Sequence, residues 1–167
     1  MIRASTLGSH SVVDSLYKLC RSAAMATKNS PRVCSEAGAA LDGAGYSDGA
    51  IELFLLAARS NDPPLETDDR MFEQGYWQVV AKDRQERARS EMSLGSLFGR
   101  RGEYARAAIY SAEATSHDST LSSAWVNLVL AQLSLGHTSE AQRILNEARQ
   151  RFPDNQLLQT LATRLTP

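Results

Sequence analysis

The sequence predicts an all-α chain in which helical hairpins stack side by side into a solenoid. Three observations predict it. The chain repeats itself: Leu94, Gly102, Ala107 and Ala114 recur 34 residues further on as Leu128, Gly136, Ala141 and Ala148, and a fixed period of that length is the signature of a helical-hairpin array. The repeating segments are rich in Ala and Leu and poor in internal Gly and Pro, a composition that favours helix. Apolar residues also recur at helical spacing in one segment after another. A chain of 167 residues, 43% of them hydrophobic, fits one domain or one short array.

Taken in order, residues 1–10 read as a loose tail of Ser, Thr, Gly and His. Val12, Leu16, Leu19 and Ala23 then share one helical face, so a first amphipathic helix is expected over about 11–27. Asn29-Ser30-Pro31 punctuates it. A hairpin follows over about 31–62, turning around Gly43 to Tyr46, and Asn61-Asp62-Pro63-Pro64 is the clearest break in the chain. An inserted helix is expected over about 63–87. Thr67, Asp68 and Asp69 give it an acidic start. Phe72, Tyr76, Val79 and Val80 line one face, and Trp77 points away from it. The polar run Lys82 to Arg87 offers no core contact, so a bend there and a straight exposed helix are equally consistent with it. The two clear copies occupy about 88–121 and 122–155. Small residues at Gly95, Ala107 and Ala114 let two helix backbones approach, and the larger residues beside them fill the remaining space. Gly102 and Gly136 end a helix in a turn that needs positive φ. After Pro153, Asp154 and Asn155 read as a turn and a helix cap. Leu157, Leu158, Leu161 and Leu165 then form a capping helix over about 156–166 that covers the end of the array.

In the second copy Trp125 is followed by Leu128, Gly136, Ala141, Leu145, Ala148 and Pro153; in the first, Leu94-Gly95, Phe98, Gly102, Tyr104, Ala107 and Ala114 fit the same template. The spacing resembles the tetratricopeptide repeat. Four positions depart from it: Glu91 stands where the Trp would be, Ser119 where the Pro would be, Val129 replaces the Gly beside Leu128, and Gln132 replaces an aromatic. A weaker copy lies upstream in Ala37-Gly38, Leu41, Gly45, Ala50, Phe54 and Ala57. Gly38 and Gly95 are 57 residues apart, one 34-residue period and 23 more, which is the length of the insertion. The resemblance implies a right-handed α-solenoid, with residues 11–167 forming a single domain.

Little in the chain suggests chemistry. His10, His117 and His137 are widely spaced, and the last two fall in expected turns, where a solvated side chain is a better reading than a metal ligand or base. No Gly-x-Ser-x-Gly elbow is present, and Gly99-Arg100-Arg101-Gly102 lacks the ending of a phosphate loop. Glu86 with Arg89 and Glu103 with Arg106 have the spacing of ion pairs within a helix. No catalytic residue, metal site or cofactor is expected. A net charge of −1 gives no general attraction to nucleic acid or anionic membranes. No run of apolar residues is long enough to span a bilayer, and His10, Asp14 and Lys18 interrupt any leader-like core. Cys20 and Cys34 make neither a disulfide framework nor a metal set, and a reduced cytoplasmic protein is the default.

Helical rotation of about 100° per residue separates the free side chains from the packed ones. Leu94, Gly95 and Phe98 share the packing face; Arg89, Met92, Ser93, Ser96 and Arg100 lie opposite. The same rotation in the next copy gives Ser123, Val126, Asn127, Leu130 and Ser134. In the family resembled, the first helix of each hairpin lines a concave groove, so the resemblance implies that these two sets form a partner-binding surface. It would mix two arginines and hydroxyls with Met92, Val126 and Leu130. A merely solvated face is the alternative: Arg100 and Arg101 suit a helix C-terminus, and Arg89 can pair with Glu86. Some relatives clamp a terminal carboxylate with Lys, Asn and Arg spread over successive repeats; Asn127 fits one such place, but the flanking basic residues are missing and no clamp is expected. Trp77 is either an anchor for a partner or a ring folded back into the hairpin. The function expected is a non-catalytic scaffold or adaptor that holds a peptide or helix of a partner protein. A bacterial secretion or assembly chaperone and a regulatory subunit of an enzyme complex are the alternatives, and self-association is left open.

Overall fold

The computed structural model describes residues 30–59 and 74–165, with side chains over 31–59 and 84–165, and single helical positions at 11, 14, 15, 18, 19 and 22. The expectations for residues 1–10, Cys20, the break at Asn61 to Pro64, the start at Thr67 to Asp69, Phe72, and the side chains of Val12, Leu16, Ala23, Tyr76, Trp77, Val79 and Val80 lie outside the described residues. Leu19, expected on an apolar face, is exposed.

Among the described residues the chain is all helix: α1 (Ser30–Gly43), α2 (Ser47–Ala58), α3 (Gln74–Arg100), α4 (Tyr104–His117), α5 (Ser122–Ser134), α6 (Thr138–Arg151) and α7 (Gln156–Leu165). The inserted helix and the first helix of the next hairpin are one element, since α3 runs unbroken through Lys82 to Arg87. Those residues carry helix-favouring Lys, Arg, Gln and Glu, and nothing in them breaks a helix. The sequence reading places one domain over 11–167; the chain has two compact units, with the boundary within α3 between Ser90 and Glu91.

In the first unit α1 packs on α2. Cys34 and Leu41 meet a buried stretch of α2 that includes Ala50, Leu53, Phe54 and Ala57. The Phe54 ring lies on Gly38, where a Cβ would come within 3.0 Å of it. In the second unit α4 packs on α5, α5 on α6, and α6 on α7. Leu94, Leu97, Phe98, Ala107, Ala114, Leu128, Val129, Ala141, Leu145 and Ala148 are all buried, so the matched positions of the repeat form the core. Helix α6 shows why: Ala141, Ile144, Leu145 and Ala148 fall on one stripe and are buried. Its outer face carries Arg143 bridging Glu140 and Glu147 at 2.7 and 3.6 Å.

The turns repeat as closely as the core does. Gly45, Gly102 and Gly136 have φ of 84°, 76° and 79°. Each donates to the carbonyl three residues back, at 2.9, 3.1 and 3.0 Å. The following N–H of Tyr46, Glu103 and His137 donates five residues back, at 2.8, 2.9 and 3.0 Å. That pair of bonds is the Schellman motif, which satisfies the last carbonyls of a helix and turns the chain. The array closes at α7, where Asn155 Oδ1 accepts from the N–H groups of Leu157 and Leu158 at 3.1 and 3.2 Å, the expected cap. Leu158 and Ala162 are buried, while Leu157 is exposed.

Candidate functional site

In the second unit α3 and α5, the first helices of two hairpins, flank a groove of about 340 Å³. Helix α3 contributes Gly95, Ser96, Gly99 and Arg100; α5 contributes Asn127, Leu130, Ala131 and Ser134; α4 contributes Tyr104 and Ala107. The two helices are tied beside it by Asn127, whose Nδ2 donates to the Met92 carbonyl at 3.4 Å. Tyr104 and Leu130 are the large apolar groups of the lining, 38% and 45% exposed. Among the described residues that line it, Arg100 is the charged one.

Of the residues assigned to a partner surface, the fold brings Ser96, Arg100, Asn127, Leu130 and Ser134 together in this groove. Met92, Ser93, Ser123 and Val126 do not line it. Val126 is buried, because α5 packs against helices on two sides and its buried sector is wider than one face. Arg89 belongs to the first unit and donates to Glu86 at 2.9 Å; Arg106 and Glu103 form the other expected pair at 2.9 Å. Gly95, Gly99 and Ala131 on the first helices, whose lack of a large side chain hides them from a search for contact residues, and Tyr104 and Ala107 on α4 were not assigned to the groove from sequence. A rotation count on first helices alone cannot place a residue contributed by a second helix.

The second unit also corrects the reading of His117 as a solvated turn residue. It is the last residue of α4, 26% exposed, and its Nδ1 lies 2.7 Å from Oε2 of Glu91, which is 1% exposed. One period further on, Trp125 and Arg151 stand at the same two positions. There the Arg151 guanidinium lies 5.2 Å from the Trp125 ring centroid, and the indole Nε1 donates to the Ser119 carbonyl at 3.1 Å. Each hairpin thus joins a matched position of its first helix to the end of its second, once through a carboxylate and imidazole and once through a ring and guanidinium. His137 is exposed and shares a 2.8 Å contact with Gln132 Oε1. Among the described residues no group of three or more His, Cys, Asp or Glu could hold a metal ion, and no helix is long and apolar enough to cross a membrane.

Residues 100–165 match the family described as tetratricopeptide repeat. Over that stretch the chain is similar to this family, whose repeats generally mediate protein–protein interaction and are generally non-catalytic. No curated protein matches the chain.

Proposed function

We infer, from the tetratricopeptide repeats and the groove they enclose, that this protein is a non-catalytic scaffold that holds a segment of a partner protein between α3 and α5. The observation that carries the reading is the convergence of Ser96, Arg100, Asn127 and Leu130 on one groove. Side chains from two separate helices line it. The lining is mixed, with Tyr104 and Leu130 as its large apolar groups, and a mixed lining favours recognition of one segment over broad shielding of an apolar client. The upstream hairpin is read as a diverged copy of the same repeat, supported by the matched turn at Gly45. The reduced cytoplasmic setting remains the reading from cysteine usage.

Site-specific photocrosslinking tests the scaffold reading. A photoreactive residue at Ser96 or Ser134, inside the groove, is expected to capture the same partner. One at Ile109, exposed on α4 and outside the groove, is expected to capture none of it. Equal capture at Ile109, or none at Ser96 and Ser134 while the partner still co-purifies, would overturn the assignment.

A further inference from the structure

We draw no further inference here: the strongest candidate, the apolar edge of the last helix α7 formed by exposed Leu157 and half-buried Leu161, carries none because nothing among the described residues shows what covers it.

Discussion

Replacing Gly95 by Ala sets two physical effects against each other. Helix propensity favours the change by about 1 kcal/mol. Packing opposes it, because the new methyl would overlap the Ser111 hydroxyl, and Ser111 Cβ and the Ala107 carbonyl oxygen already stand 3.4 Å from the same point. Relief requires the hydroxyl to rotate or the two helices to separate, and overpacking of this kind costs about 1–3 kcal/mol. The single variant is therefore expected to be neutral or destabilised by up to about 2 kcal/mol. Ser111 Oγ is buried with no hydrogen-bond partner, so Ser111→Ala removes an unsatisfied group and should stabilise by about 1 kcal/mol. In that background Gly95→Ala meets neighbours at 3.4 Å, an ordinary contact, and its helix-propensity gain should reappear. The cycle should then show a coupling of about 1–3 kcal/mol. Urea unfolding followed by far-ultraviolet circular dichroism measures all four proteins, with the midpoint read at constant slope. If Gly95→Ala stabilises the parent and the Ser111→Ala background equally, the close approach of α3 and α4 at Gly95 is refuted.

The remaining predictions use other single contacts. Gly102 has open space around it but φ of 76°, so Gly102→Ala should lower stability by about 1–2 kcal/mol through backbone strain alone. Gly99→Ala, at a helical φ, should raise stability by up to about 1 kcal/mol; thermal melts showing the same sign for both would contradict this. Arg143 donates to both carboxylate oxygens of Glu140 at 2.7 and 2.9 Å, and that hydrogen bonding holds the Glu140 carboxyl below the usual carboxylate range. A lowered folded-state value means the pair's small contribution is present at neutral pH and fades as pH falls through the Glu140 titration. A ¹³C NMR titration should find the Glu140 midpoint lowered in the parent and returned to the ordinary range in Arg143→Gln. Identical midpoints would show that the pair is not formed in solution.

The fold was legible because a hairpin array writes its constraints at fixed spacing. Leu94, Ala107 and Ala114 are buried, and so are their copies Leu128, Ala141 and Ala148. Gly102 and Gly136 announce positive φ because other residues are strained there. The insertion was less legible. A polar run such as Lys82 to Arg87 makes no core contact, and without one a straight helix and a bend look alike in sequence. The groove was half legible. A helical wheel finds the faces of α3 and α5, and so Ser96, Arg100, Asn127, Leu130 and Ser134. It cannot tell how much of a face a neighbour covers, which is why Val126 is buried, and it cannot place Tyr104 from a different helix.

Glu91 takes its meaning from the equivalent residue of the next copy. Read alone, a Glu in a charged helical stretch is assigned to solvent, and a His after α4 to a turn. The position is nonetheless an interior one, since the next copy fills it with Trp125. A carboxylate placed there must find a donor. One polar partner comes from the end of the second helix, where Arg151 covers Trp125 in one copy and His117 meets Glu91 in the other. The two substitutions therefore belong together: a ring accepts a guanidinium over its face, whereas a buried carboxylate is served by a shorter imidazole in direct hydrogen-bond reach. The same logic separates Gly95 from Gly99. The first has a partner, Ser111, at the position that Phe54 and Leu145 hold in the other hairpins, and that partner explains it. A Cβ on the second would meet only the Ala107 Cβ, at 3.9 Å, among the described residues, so packing there does not demand a glycine.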